Sequence, residues 1–266
     1  MSNKAIGVMD SGVGGLTVVK ELIRQLPKEK IIYFGDSVRC PYGERSTEEV
    51  IHFTEEIFQF LSRKDIKVFI IACNTATAAA ISKIREMTDI PVIGVIMPGS
   101  RRALQISNNN DIVVLSTRGT KNSHKYKSTI QKINDHANVL EIACPKFVPL
   151  IESGDYKNKK IRDKVIDETL SNLKRTSADT VILGCTHYPL ISNYINEYFN
   201  NEKNIVDSGF ETARDVSTLL EFKKLLSNRK SEVIHDIYVH GDYKQFEQIL
   251  NEWMPNFKYT IQSVEL

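Results

Sequence analysis

Two segments of the chain share one pattern, in which a short apolar run ends at a cysteine and residues that favour a helix start follow. The first segment is residues 70–80, IIACNTATAAA, and the second is residues 181–190, VILGCTHYPL. Short, β-branched apolar runs are typical of strands buried in a parallel sheet. Cys73 and Cys185 are therefore predicted to lie at the carboxyl ends of two strands, where open α/β sheets bind their ligands.

The residues around these segments extend the pattern to two tandem units. A predicted strand over residues 5–9 ends in Asp10-Ser11-Gly12, and one over residues 111–115 ends in Ser116-Thr117. Each of these strands precedes a cysteine-bearing strand at a similar distance along the chain. We therefore predict an α/β fold of two pseudo-symmetric, three-layer α/β lobes, with mostly parallel sheets that face each other across a cleft.

The domain boundaries are predicted from the point where the second unit begins and the point where it ends. Residues 1–97 are assigned to the first lobe and residues 98–207 to the second, with Pro98-Gly99 as the hinge. Residues 208–266 do not form a third unit and are too few to be comfortably stable alone. We expect this segment to pack on the first lobe, which then comprises residues 1–97 plus 208–266.

The composition indicates an ordinary globular protein and excludes several kinds of partner. The 35 basic and 33 acidic residues of the 266-residue chain leave a net charge of +2, so no nucleic-acid or membrane partner is expected. The first ten residues, MSNKAIGVMD, do not resemble a secretory signal, and no apolar run is long enough to span a bilayer. A cytoplasmic location is therefore expected.

The four cysteines, at positions 40, 73, 144 and 185, are too far apart for a C-x-x-C motif. This spacing argues against a structural zinc site and a thioredoxin-type redox pair, and no metal site is predicted. Cys40 and Cys144 are interpreted as small buried side chains.

Polar residues follow the predicted strand ends of both lobes. Hydroxyl groups, amides and helix amino termini suit carboxylates, and the scarcity of Lys and Arg favours a small ligand that is also cationic, such as an amino acid. The turn Pro41-Tyr42-Gly43 is expected to present the Tyr42 hydroxyl. The first lobe contributes Asp10, Ser11, Pro41, Tyr42, Gly43, Cys73, Asn74 and Thr75, and the second contributes Thr117, Thr120, Glu152, Cys185, Thr186 and His187.

Two thiols at equivalent strand ends suggest acid and base catalysis on opposite faces of one carbon. One thiolate removes a proton and the opposite thiol supplies another, which inverts the stereocentre. The helix after each cysteine, or the cationic form of His187, is expected to lower a thiol pKa. Asp10 and either Glu152 or His187 are candidates for setting the protonation state of each thiol.

The motifs Asp10-Ser-Gly-Val-Gly-Gly, Pro41-Tyr-Gly, Ala72-Cys-Asn-Thr-Ala-Thr and Gly184-Cys-Thr-His-Tyr-Pro together resemble the aspartate/glutamate racemase family. The resemblance implies interconversion of L- and D-glutamate without a cofactor, a supply of D-glutamate for peptidoglycan, and commonly a homodimer. It implies Cys73 and Cys185 as the acid and base, with Cys73 acting on the D-form and Cys185 on the L-form. It implies further substrate contacts at Asp10, Ser11, Tyr42, Gly43, Asn74, Thr75, Thr186 and His187.

Three alternatives remain open. A racemase of the same family acting on aspartate differs only in cleft size, which the sequence does not reveal. A Cys–His hydrolase would use Cys185 and His187 alone and leave Cys73 as a core residue. A two-lobed binding protein or regulator would bind an amino acid without turnover.

Overall fold

A computed structural model describes residues 2–266 of the chain. It divides into two compact units, one running to Val95 and joined by Gly209–Leu266, the other comprising Ile96–Ser208. The predicted boundaries, after residues 97 and 207, fall close to these. Pro98 and Gly99, interpreted from the sequence as a hinge, lie in the first turn of a helix that spans Ile96–Ile106, where a proline costs no hydrogen bond.

Strands and helices alternate along most of the chain. The strands are β1 (Ala5–Asp10), β2 (Ile31–Asp36), β3 (Ile66–Ile71), β4 (Val92–Gly94), β5 (Asp111–Ser116), β6 (Asn138–Ala143), β7 (Thr180–Gly184), β8 (Asn204–Asp207), β9 (His235–His240) and β10 (Tyr259–Val264). The α-helices are α1 (Leu16–Gln25), α2 (Thr47–Ser62), α3 (Asn74–Glu86), α4 (Ile96–Ile106), α5 (Arg118–Asn122), α6 (Lys125–Ile133), α7 (Phe147–Glu152), α8 (Lys159–Leu170), α9 (Ser192–Tyr198), α10 (Ser208–Phe222) and α11 (Tyr243–Trp253). Short 3-10 helices span Tyr42–Glu44, Asp155–Lys157, Ser171–Arg175 and Tyr188–Ile191.

The strand order of the two sheets confirms the predicted repeat. The first unit has the order β10-β9-β2-β1-β3-β4 and the second has β6-β5-β7-β8, and the strand pairings within residues 2–266 are parallel. The segment β2-β1-β3-β4 thus has the same order as β6-β5-β7-β8. The cysteine-bearing strands β3 and β7 occupy the same place in it, so the α/β fold and its pseudo-symmetry are as predicted.

The carboxyl-terminal segment extends the sheet of the first unit. β9 pairs with β2 from Ile32 and Asp236 to Asp36 and His240, and β10 pairs with β9 outside it. This is the lobe on which the segment was expected to pack. β8 pairs with β7 and forms the edge of the second sheet that lies opposite β6. The sequence analysis did not assign it as a strand.

Alternate residues of the first sheet face two separate apolar layers. Val8 belongs to the cluster that includes Leu22 of α1 and Leu250 of α11. Its neighbour Met9 belongs to the cluster that includes Ile57 of α2. Helices therefore cover both faces of this sheet, which gives the three layers predicted for the first lobe.

Local sequence signals set several helix ends. Ser46 and Glu49 form a capping box, with Ser46 Oγ accepting from the Glu49 amide and the Glu49 carboxylate accepting from the Ser46 amide. Residues 147–152 form the short helix α7. Among residues 2–266, no helix has the length and apolar character needed to cross a membrane.

Candidate active site

Cys73 lies between the end of β3 and the start of α3. It is the N-cap of α3, and its Sγ accepts a hydrogen bond from the Ala76 amide at 3.4 Å. The same sulfur lies 3.6 Å from Oγ of Ser11, which follows β1. The partial positive charge of a helix amino terminus stabilises a thiolate, so the 13-residue α3 favours the ionised form of Cys73.

The turn after β1 is held by contacts within the protein. Asp10 is fully buried, and its Oδ2 accepts from the Gly12 amide at 3.2 Å. Tyr33 donates its hydroxyl to the Gly12 carbonyl at 2.7 Å. Burial raises the pKa of Tyr33 well above its usual value, and the nearby Asp10 and Cys73 raise it further. Asp10 and Cys73 therefore share one electrostatic environment.

Gly15 in this turn lets neighbouring groups approach the backbone closely. At Gly15 the close neighbour is the protein itself, because a Cβ there would lie 2.5 Å from the Asp10 Cβ and 2.6 Å from the Tyr33 hydroxyl. This glycine is required by the fit between Asp10 and Tyr33.

The turn Pro41-Tyr42-Gly43 begins with a cis peptide bond between Cys40 and Pro41. The predicted presentation of the Tyr42 hydroxyl is wrong: the ring is 1% exposed, and its hydroxyl donates to the buried carboxylate of Asp36. A tyrosine this deeply buried needs an internal acceptor, which Asp36 supplies. What Pro41, Tyr42 and Gly43 can offer to a ligand is therefore their main chain.

Cys185 lies directly after β7 and is supported by a histidine. Its Sγ is 3.8 Å from Nδ1 of His187, and Nε2 of His187 is 2.8 Å from Oε1 of Glu152. Burial lowers the pKa of His187, but its hydrogen bonds to Cys185 and Glu152 outweigh burial and raise the pKa to about 10. An imidazolium ion at neutral pH thus lies beside the Cys185 thiol.

The sequence analysis expected a helix directly after each cysteine, and this is wrong for Cys185. The residues that follow form a 3-10 helix at Tyr188–Ile191 before α9 begins at Ser192. Pro189 in the first turn of this segment has no amide hydrogen to donate. His187 contacts the Cys185 sulfur, and the first α-helix after this cysteine begins seven residues further on, at Ser192.

The remaining predicted residues line the same strand ends within their own units. Asn74 and Thr75 open α3 and are buried, and Thr186 is buried next to Cys185. Thr117 is the N-cap of α5: its hydroxyl accepts from the Thr120 amide and donates to the Thr120 hydroxyl at 3.1 Å. Each unit thus gathers its own predicted residues at the carboxyl edge of its sheet.

The other two thiols have different surroundings. Cys144 is fully buried, its thiol donates to the Ile142 carbonyl, and burial raises its pKa well above the usual value, as expected of a core cysteine. Cys40 is half-buried, and its sulfur would lie 3.2 Å from a Cβ at Gly12. Among residues 2–266, no group of three or more His, Cys, Asp or Glu side chains could hold a metal ion.

Sequence reasoning missed three residues beside this site, Asp36, Arg39 and His240. Asp36 ends β2 as Asp10 ends β1, so its position at a strand end was a usable signal. His240 ends β9 and contacts Asp36 at 2.8 Å. His240 therefore also stands at a strand end, but its contact with Asp36 joins residues 204 positions apart, which no local pattern predicts.

Comparison with known proteins agrees with these observations. The sequence model of the Asp/Glu/Hydantoin racemase family matches residues 6–215. Glutamate racemase of Staphylococcus epidermidis is 49% identical over 262 residues, which cover 98% of each chain. The crystal structure of glutamate racemase isoform RacE1 from Bacillus anthracis, 39% identical, superposes with a TM-score of 0.96 over 100% of this chain and 99% of that one. Glutamate racemase of Francisella tularensis, solved in complex with D-glutamate, is 34% identical with a TM-score of 0.92 over 100% of this chain and 98% of that one.

The fold and these relatives define an isomerase that acts on amino acids. The protein belongs to the aspartate/glutamate racemase family. The family model matches most of its length, and the relative from Staphylococcus epidermidis is 49% identical over 98% of each chain.

Proposed function

We propose that the protein interconverts L- and D-glutamate, with Cys73 and Cys185 as the acid and base. The observation that carries this proposal is the placement of the two thiols at equivalent strand ends, after β3 and after β7. The 49% identity to glutamate racemase of Staphylococcus epidermidis supports glutamate as the substrate.

In the proposed reaction the two thiols meet opposite faces of the substrate α-carbon. For L-glutamate, the Cys185 thiolate takes the α-proton and its electron pair stays on carbon, while the Cys73 thiol donates a proton to the other face. Cys185 is then a thiol and Cys73 a thiolate, which is the state required for the D-enantiomer. Protons balance over the reaction, and the chemistry is general acid and base catalysis.

The groups around each thiol support this assignment. His187, oriented by Glu152, lies beside the Cys185 sulfur, and the amino terminus of α3 lies beside the Cys73 sulfur. Asp10 is proposed to assist on the side of Cys73. Substrate contacts are proposed at Asp10, Ser11, Asn74, Thr75, Thr117, Thr120, Thr186 and His187 and at the main chain of Pro41, Tyr42 and Gly43.

A polarimetric assay tests this function directly. Purified protein without pyridoxal phosphate should abolish the optical rotation of L-glutamate, and Cys73→Ala and Cys185→Ala should each prevent the change. L-aspartate is assayed in parallel as the comparison substrate. If its optical rotation is lost faster than that of L-glutamate, aspartate is the preferred substrate. A rotation that never changes with either amino acid would overturn it.

One observation favours a second candidate, a cysteine hydrolase. The contacts follow the order of a catalytic triad. Cys185 would be the nucleophile, His187 contacts it as the base, and Glu152 orients His187. In that case Cys185 would form a thioester and Cys73→Ala would retain full activity. Mass spectrometry of the protein quenched during turnover decides, because a racemase accumulates no acyl adduct on Cys185.

We further propose a cytoplasmic homodimer whose D-glutamate serves peptidoglycan synthesis. The family membership supports this role, because D-glutamate is the product that the proposed reaction makes from the common L-amino acid. Expression of the chain should restore growth of a bacterial strain that requires added D-glutamate, and Cys185→Ala should not. Light scattering of the purified protein measures the oligomeric state.

A further inference from the structure

A buried carboxylate at the end of β2 is bonded to side chains of the loop that follows it and of β9. Asp36 is fully buried, and three side chains donate to it. Its Oδ2 accepts from the Tyr42 hydroxyl at 2.5 Å and from Arg39 Nε at 2.6 Å. Its Oδ1 accepts from Nδ1 of His240 at 2.8 Å. A carboxylate oxygen can only accept in these contacts, so His240 carries its proton on Nδ1.

These contacts hold the loop that contains the Pro41-Tyr42-Gly43 turn from two sides. Arg39 continues from Asp36 to Glu56 of α2, and its guanidinium lies 4.1 Å from the ring centroid of Phe53. On the other side, the amide of Val38 donates to the carbonyl of His240 at 3.1 Å. The loop is therefore fixed to α2 and to β9 as well as to its own strand.

We infer that Asp36 and His240 are positioning residues, which place the main chain of the Pro41-Tyr42-Gly43 turn for substrate. The side chain of Tyr42 links the turn to Asp36 through its hydroxyl group. His240 belongs to the carboxyl-terminal segment, so β9 contributes to the active site through Asp36. This inference rests on the proposed function, since it assigns substrate contact to the turn.

The chain contains a matched control for His240 at the other end of β9. His235 also bonds across to β2, where its Nδ1 accepts from the Ile31 amide at 3.1 Å. His235 opens β9 and accepts from Ile31, the first residue of β2, whereas His240 closes β9 and pairs with Asp36, the last residue of β2. A leucine at either position removes one buried bond between the same two strands, but only His240→Leu releases Asp36.

Two measurements on His240→Leu, Tyr42→Phe and His235→Leu test the inference. Hydrogen exchange followed by mass spectrometry should show faster exchange over residues 37–45 in the first two variants and wild-type exchange there in His235→Leu. The KM for glutamate should rise about tenfold in the first two variants with kcat changed less than about twofold, as for loss of uniform binding. His235→Leu should keep the wild-type KM.

The conservative variant His240→Asn gives a rescue test, because its side-chain amide can donate to Asp36 in place of Nδ1. It should restore both slow exchange and low KM. Unchanged exchange over residues 37–45 in His240→Leu and Tyr42→Phe would overturn the inference, whether or not the protein racemises glutamate. Faster exchange with an unchanged KM would also overturn it, because the turn would then not position substrate. A wild-type protein inactive on glutamate with faster exchange in both variants would leave the anchoring by Asp36 correct and reject the proposed function.

Discussion

The two cysteines occupy equivalent strand ends, but the groups beside them differ in kind. Cys73 caps the 13-residue helix α3 and lies near the Ser11 hydroxyl. Cys185 is followed by a turn and a 3-10 helix, and its polar neighbour is His187, which Glu152 orients. The first thiol is thus supported by a helix amino terminus and the second by an ionisable pair of side chains.

This difference separates what the shared fold supplies from what individual side chains supply. The repeated strand order places both sulfurs at the carboxyl edge of a parallel sheet. The backbone after β3 forms an α-helix that Cys73 caps, whereas the backbone after β7 forms a turn and a 3-10 helix. We therefore expect the two sites to respond differently to substitutions around the thiol and alike to loss of the thiol.

The largest expected effect is the loss of either sulfur. Cys73→Ser and Cys185→Ser should each lower kcat by about a thousandfold or more, because a serine hydroxyl is a far weaker base than a thiolate. Polarimetry with glutamate measures this loss, and circular dichroism checks the fold. A variant that retained more than a tenth of wild-type kcat would show that its thiol is not an acid or base of the reaction.

The neighbours of the thiols should differ in their effects. His187→Asn should lower kcat about a hundredfold, because it removes the cation beside Cys185. Ser11→Ala should lower kcat less than about tenfold, because α3 remains to stabilise the Cys73 thiolate. Parallel kinetics of the two variants checks this order, and equal losses would remove the distinction drawn between the sites.

The pH dependence should distinguish the second unit through His187. Its pKa rises from 6.5 to about 10 in the folded protein, so its contribution to the free energy of unfolding is complete below pH 6.5 and is lost as pH rises through 10. Glu152→Gln should lower the pKa of His187, so the pH range over which His187 stabilises the fold should become narrower. Imidazole NMR titration of both proteins, with urea unfolding between these pH values, measures the change. An identical His187 titration in the variant would exclude Glu152 as its partner.

Substitutions of the residues that precede the two cysteines should have the smallest effect of those considered. They should change the free energy of unfolding alone. A Cβ at Gly184 would lie 2.9 Å from the Leu115 carbonyl oxygen of the neighbouring strand, so Gly184→Ala should reduce the free energy of unfolding by about 2 kcal/mol. The equivalent residue in the first unit is the buried Ala72, and Ala72→Gly should cost about 1 kcal/mol. Urea unfolding checks both values, and no loss for Gly184→Ala would contradict the close approach of β5 and β7.

Local patterns in the sequence were sufficient for much of the fold and for the main site residues. The β-branched runs before Cys73 and Cys185 predicted two parallel strands, and the structure has β3 and β7 there. The capping-box pattern of Ser46 and Glu49 is visible in the sequence at the start of α2. These features depend on residues a few positions apart, which is the range over which strand and helix signals act.

Features that depend on distant contacts were not predicted. The orientation of the Tyr42 hydroxyl depends on the buried Asp36, and Asp36 depends in turn on His240. The absence of an α-helix directly after Cys185 also escaped prediction, although Pro189 was visible in the sequence. A strand-end position is a local property, but the direction in which a side chain points there is decided by packing.

The most direct test of the two-thiol account is the position of deuterium after brief reaction of L-glutamate in D₂O. Two thiols predict that the first D-glutamate formed carries solvent deuterium at the α-carbon, while the remaining L-glutamate keeps its hydrogen. D-glutamate that retains the original hydrogen, or deuterium that enters L-glutamate as fast as it enters D-glutamate, would contradict the account, because a single base would then serve both faces.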